Sequence, residues 1–436
     1  MRKLKGTVLV LICTLILGAA VGCKLMGSQT VTLEFGMFAG SNWDVANANS
    51  YAIIDRAIQK FEKSHPNVKI HYYSGIRKEN YSEWLSQQIL KGEMPDVFMI
   101  LTDDFNKLSS MGVIRELDEL MESDPYFDAS DFYATTLNTG KYLEKQYALP
   151  FETVPELMFV NKTLLQENGI SIPNNNWTWQ DMYRICQQVT KDLNGDGTLD
   201  QFGVYNYSWI EAAYSNGADI FNNNGTEAYF TSEKVLDSIR FTKQLFDLNQ
   251  GTTITLKDFD GGKVAFRPFL FSDYRTYKTY PYRLKKYNQF QWDCITLPAG
   301  PDGGNTSIIN TLLMGISSGT SHEKLAWEFL KTLTCDTEIQ MDIFRYSQGV
   351  SVLKEVTRSS DAEEILQRDM ESSEKSISTD LLDSIIEKGR IEPKFYKYSE
   401  AMSLADNEIQ KIIEEDEDID STMKIFQRSV SSFLRR

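Results

Sequence analysis

Gly92-Glu93-Met94-Pro95-Asp96-Val97-Phe98-Met99-Ile100-Leu101 is the stretch on which the fold turns. Gly and Pro punctuate its start, and an unbroken apolar run follows, the pattern of a short strand buried on both faces of a parallel sheet. Immediately upstream, Trp84, Leu85, Gln88 and Ile89 fall at helical spacing. Before them Val68, Ile70 and Tyr72 alternate as in a strand, and Pro66 stops a helical stripe of Ile53, Ile54, Ala57, Ile58 and Phe61. Val31, Leu33 and Phe35 alternate again, so the first hundred residues past the N-terminal segment read βαβαβ. The alternation recurs downstream. Thr178 to Asp181 reads as a capping box leading into Met182–Val189, Trp292 to Leu297 as a strand, and Ala326, Phe329, Leu330 and Leu333 as a helix face. No internal repeat is present, and the class is α/β.

Length and charge bound the rest. The 436 residues suggest two or three domains, each able to bury its own core. With 45 Lys+Arg against 61 Asp+Glu, the net charge is −16, a field that repels nucleic acid. Only three histidines occur (His65, His71 and His322), so zinc sites and histidine bases have little material. Aromatic residues reach 12% of the chain, which is rich.

The N-terminus reads as an export signal. Arg2, Lys3 and Lys5 precede an apolar run from Val8 to Ala20, shorter than the roughly 20 residues a spanning helix needs. Ala20-Val21-Gly22-Cys23 then resembles a bacterial lipobox, with Ala20 where Leu is usual. On that reading residues 1–22 are removed, Cys23 is acylated, and residues 23–30 are a tether on the outer face of the cell membrane. An ordinary cleaved signal with an incidental Cys is the alternative. Cys186, Cys294 and Cys335 remain, an odd number among apolar neighbours, which reads as small buried hydrophobes rather than a disulfide framework.

Several pieces then align with one family in order. Gly92–Phe98 is similar to the G-x-x-P-D-V strand start of the extracellular solute-binding proteins of ABC importers, family 1. Gln146–Pro150, Phe159-Val160-Asn161-Lys162, Trp177-Thr178-Trp179, Gly262–Phe266, Leu297–Pro301, Gly315-Ile316-Ser317 and Ala326–Leu330 follow in the family's sequence. The resemblance runs from about residue 30 to the C-terminus. It implies a type II periplasmic-binding-protein fold: two α/β lobes, hinge segments between them, and ligand in the cleft. The chain is expected to cross near Leu149–Thr153, Ile308–Leu313 and Arg358. That assigns residues 31–152 and 309–357 to lobe 1, and 153–308 and 358–436 to lobe 2.

Two motifs invite chemistry. Asp192, Asn194, Asp196, Thr198 and Asp200 have the oxygen spacing of a calcium loop, with Gly197 at the sixth position. The twelfth position is Gly203, where a bidentate Glu is needed. A structural calcium and an Asx-rich turn both remain open, and no other cofactor is required. Gly315-Ile316-Ser317-Ser318-Gly319 matches a nucleophile elbow literally, but no acid lies between it and the last histidine, His322, so the required order fails. The acidic run Glu414–Asp420 reads as a solvated helix end.

Cleft residues are sought just past strand C-termini. Sugars stack apolar faces on rings and offer hydroxyls to charged or amide partners. Trp43 and Asp44 follow the first strand, and Asp103 and Asp104 follow the Pro95–Leu101 strand. Tyr207 and Trp209, with Asp273 and Tyr274, stand where the family contributes second-lobe cleft residues. Glu152 falls at the first hinge, and Tyr396 where some members add a late aromatic. The expectation is a monomeric, lipid-anchored binding protein that captures a sugar or oligosaccharide, stacks it between Trp43 and Trp209, and presents it to ABC permease subunits without chemistry. A sensory or glycan-capture lipoprotein uncoupled from transport is the alternative.

Overall fold

The computed structural model describes residues 30–47, 49, 51–279, 286–368 and 377–435. The signal segment and Cys23 lie outside the described residues. Among the described residues eleven strands form: β1 Val31–Gly36, β2 Val68–Tyr72, β3 Val97–Ile100, β4 Lys141–Tyr142, β5 Lys145–Gln146, β6 Ala148–Asn161, β7 Phe202–Val204, β8 Val264–Leu270, β9 Trp292–Ile295, β10 Ile309–Ile316 and β11 Val350–Ser351. The expected βαβαβ start is present, with β1 parallel to both β2 and β3 and helices Ala52–Ser64 and Lys78–Lys91 between them. The second helix ends on Gly92, whose φ of 70° supplies the left-handed turn that returns the chain to β3. Thr178 and Asp181 close the expected capping box in both directions, opening helix Trp179–Val189.

One strand organises the molecule. β6 is 14 residues long, and its first half pairs antiparallel with β10 while its second half pairs with β8 and β9. The sheet order is therefore β2-β1-β3-β10-β6-β8-β7, with one lobe on each side of the β6 midpoint. β10 runs antiparallel between β3 and β6, so Gly315-Ile316-Ser317 lies at a strand end, not in a strand–turn–helix elbow.

The third passage between lobes lies further along than the expected Arg358. Helices Ser360–Gln367 and Thr379–Glu387 still pack on the first lobe: Tyr133 donates to Asp383 at 2.7 Å and Thr135 donates to the Ile386 carbonyl at 2.7 Å. Past Gly389, Arg390 exchanges backbone hydrogen bonds with Ser307 (2.8 Å) and Ile309 (2.9 Å), and Phe395 and Tyr398 enter the second lobe's core beside Phe221. Charged residues crowd this passage, so no hydrophobic period marks it.

Cys186 and Cys294 are buried and no disulfide forms among the described residues. Burial pushes both thiols up, as expected for packing groups.

Candidate ligand-binding site

Among the described residues three segments connect the lobes, and they are tied together. Glu156 N–H donates to Ser307 Oγ at 2.7 Å, and Ser307 and Ile309 are bonded to Arg390 as above. Such a bundle of short crossings permits one lobe to swing on the other about a narrow axis. Glu152 sits within it rather than in an open cleft. Its Oε1 accepts from Ser347 Oγ at 2.5 Å, and the Trp43 indole nitrogen and the Gly349 backbone lie beside its carboxylate. Burial pushes the Glu152 pKa up, and these neighbours only partly oppose it. Gly349 has no side chain for a reason: a Cβ there would stand 2.1 Å from Glu152 Oε1.

The structure sorts the remaining sequence-expected residues into three groups. Trp43, at 7% exposure, and Tyr274, fully enclosed against Phe271 and Trp292, are core. Trp209 is 4% exposed, with its Nε1–H on Asp406 Oδ1 at 2.8 Å and its ring against Phe230. The expected sandwich between Trp43 and Trp209 thus lacks open ring faces. These large rings lie at strand ends but turn inward, because each lobe's helices leave apolar volume there to fill. Asp104 also turns away, accepting from Ser82 Oγ at 2.5 Å with its pKa raised by burial.

Asp44 and Asp273 form the second group. Asp44, at φ 56°, is exposed and paired with Lys78 Nζ at 2.8 Å. Asp273 stands in the first turn of helix Phe271–Lys278, and burial raises its pKa to about 6. Arg267 and Lys286 pull that value down while the Asp44 charge pushes it up. Arg267 packs over the rings of Phe259 (4.8 Å) and Tyr205 (5.6 Å). It was missed in sequence, although a lone Arg in the strand Val264–Leu270 was a visible irregularity.

Asp103 and Tyr396 form the third group, flanking the last passage. Tyr396 is exposed, and Asp103 acts on Lys394, an almost enclosed lysine. Burial lowers the Lys394 pKa, while Glu392, 4.0 Å away, and Asp103 oppose that shift. Lys394 lines an interlobe cavity of about 730 Å³ whose walls include Asn138 and Lys141 from one side and Tyr214 and Asn223 from the other. Asn223 Nδ2 donates across it to Glu144 Oε1 at 3.2 Å, and Arg390 pairs with Asp219 at 2.5 Å. A second cavity of about 890 Å³ lies within the second lobe alone and includes Tyr207 and Trp209 in its wall.

The calcium-like loop is an exposed, self-bonded turn. Asp192 accepts from the N–H groups of Asn194, Gly195 and Gly197, and Asp200 from that of Leu193. Asn194 and Asp196 likewise bond to backbone two residues on. Among the described residues, no group of three or more acidic, His or Cys side chains is placed to hold a metal, and Thr198 adds only its hydroxyl to the set. These side chain-to-backbone bonds are those of an Asx-rich turn, the other reading of the motif.

Residues 46–336, more than half of the chain, match the family described as bacterial extracellular solute-binding protein. The chain belongs to that family. A curated relative, the multiple sugar-binding protein of Streptococcus mutans serotype c, is 23% identical over 305 residues, covering 66% of this chain and 69% of the relative. Among solved structures, the cyclic alpha-maltosyl-1,6-maltose binding protein of Arthrobacter globiformis superposes with a TM-score of 0.75 at 15% identity, covering 93% of this chain and 98% of that one. The sugar-binding protein MalE of Xanthomonas citri gives 0.74 at 14% identity with the same coverage. An ABC substrate-binding protein of Listeria monocytogenes in complex with cycloalternan gives 0.69 at 18%, covering 93% and 99%. These likenesses fix the two-lobed type II fold. No helix among the described residues is long and apolar enough to cross a membrane.

Proposed function

We propose that this solute-binding protein captures a sugar or oligosaccharide between its lobes and delivers it to the membrane subunits of an ABC importer, acting as a monomer anchored through acylated Cys23. The observation that carries the reading is the two-lobed frame split at β6, with a cavity of about 730 Å³ between the lobes walled by polar side chains such as Asn138, Lys141, Asn223 and Lys394. The curated relative and the structural neighbours are named for sugars, which supplies the ligand class. Asp44, Asp103, Asp273 and Tyr396 are the expected residues that keep exposed or facing positions suited to hydroxyl recognition, and Lys78, Arg267 and Lys394 join them. Binding followed by lobe closure is sufficient for this role, and no reaction step is assigned.

The test is a thermal-shift screen of the purified protein against mono- and oligosaccharides, with amino acids and short peptides as the competing class. A carbohydrate should raise the melting temperature in a concentration-dependent way, since a ligand of the native state stabilises it by mass action. Stabilisation by peptides alone would refute the carbohydrate reading.

A further inference from the structure

The last passage between the lobes carries a hydrogen-bond donor and an acceptor side by side. Residues 391–395 form neither helix nor strand, and Pro393 stands between Glu392 and Lys394. Proline fixes its own φ and biases the residue before it toward extended backbone. Residues two apart in extended backbone share a face, so the two side chains leave the chain together. Both line the interlobe cavity of about 730 Å³, and both also line a smaller one of about 20 Å³ beside Thr102, Thr139 and Thr311 of the first lobe.

Three other charged groups in the wall of the larger cavity are answered. Arg390 pairs with Asp219 at 2.5 Å, and Glu144 accepts from Asn223 at 3.2 Å. Lys394 is not. Its side chain is 12% exposed, it makes no hydrogen bond among the described residues, and its one ion contact is Glu392 Oε2 at 4.0 Å. An ammonium withdrawn from water without hydrogen bonds destabilises the fold, and Glu392 and Asp103 only partly oppose the burial that lowers its pKa. The 4.0 Å gap is too wide for a direct hydrogen bond. It suits two adjacent ring hydroxyls, each about 2.8 Å from its partner, one accepting from Nζ and the other donating to the carboxylate.

From this geometry we propose that Lys394 and Glu392 are specificity-determining residues, which read two adjacent free hydroxyls on one ring of a neutral saccharide. The proposal rests on the carbohydrate reading above and deepens it by naming what the ligand must present. The pair carries no net charge, so a neutral sugar leaves neither ion uncompensated. Arg390, two residues before Glu392, is bonded to Ser307 and Ile309, so the sugar ring is held at the hinge itself.

A thermal-shift panel of maltotriose, mannotriose, cellotriose, xylotriose and raffinose selects a saccharide that stabilises the wild type. Titration calorimetry then compares its affinity in wild type, Lys394→Met, Glu392→Gln and the double variant. Affinity should fall about tenfold in Lys394→Met and severalfold in Glu392→Gln. The double variant should lose less than the product of the two, because both residues hold one pair of hydroxyls. The ligand-free melting temperature of Lys394→Met should equal or exceed that of wild type, since Met fills the space without the unpartnered charge. A residue that only supports the fold would lower that temperature. Unchanged affinity in both single variants, or a loss of affinity accompanied by a lower ligand-free melting temperature, would overturn the pair while leaving sugar binding between the lobes intact. If no saccharide of the panel binds the wild type, the carbohydrate reading itself falls, and the role of the pair falls with it.

Discussion

Replacing Asp273 with Asn should make the ligand-free protein more stable at neutral pH and remove part of its pH dependence. Burial raises the Asp273 pKa from 3.8 to about 6, despite the opposing charges of Arg267 and Lys286. A carboxyl that holds its proton more tightly in the folded chain than in the unfolded one costs stability once that proton must leave. Below pH 3.8 the cost is absent; it grows through the window from 3.8 to about 6 and is complete above it. A shift of this size corresponds to about 3 kcal/mol, and partial solvent contact trims the expectation to roughly 2 kcal/mol. Asn keeps the shape and loses the charge. Urea unfolding of wild type and Asp273→Asn at pH 4, 6 and 7.5 measures the difference directly. Glu156 and Glu211, whose pKa values burial also raises, tilt both proteins alike and cancel in the comparison. The variant should gain little at pH 4 and about 2 kcal/mol at pH 7.5, while losing ligand affinity if the carboxylate meets a hydroxyl. A variant less stable than wild type at pH 7.5, or a difference independent of pH, would show that Arg267 and Lys286 more than offset the burial and that the reasoning is wrong.

Gly349→Ala should destabilise the protein by about 2 kcal/mol, because its methyl group would enter the space of Glu152 Oε1 and force apart the Glu152–Ser347 contact; denaturant unfolding reads the loss, and an unchanged midpoint refutes the packing. EDTA should leave the melting temperature unchanged, as expected of a turn in which Asp192 and Asp200 are satisfied by backbone N–H groups; a drop restored by calcium and abolished in Asp192→Ala would establish an ion site instead. Cys23→Ser should move the protein from the membrane to the soluble fraction of the expressing cell, and persistence in salt-washed membranes would contradict the lipobox.

The sequence carried the frame because its signals are local. The apolar run behind Pro95, the Thr178–Asp181 box and the alternation of Val31, Leu33 and Phe35 each report on residues within one turn or one strand, and each lies where expected. The third passage was misplaced because nothing local distinguishes Arg358 from Arg390. Both are polar segments between helices, and only the distant Ser307 and Ile309 decide which one crosses. For the expected site residues, backbone position was legible in the sequence but side-chain direction was not. Trp43, Asp104, Tyr207, Trp209 and Tyr274 do lie just past strand ends, yet a strand end fixes where a backbone is, whereas the rotation of the next turn fixes where its side chain goes. That rotation depends on long-range partners: Asp406 for Trp209, Ser82 for Asp104 and the Glu152 carboxylate for Trp43. Large rings answered by such partners become core. Asp44 and Asp273 are answered by cations instead: Lys78 pairs with Asp44, and the charges of Arg267 and Lys286 oppose the effect of burial on Asp273.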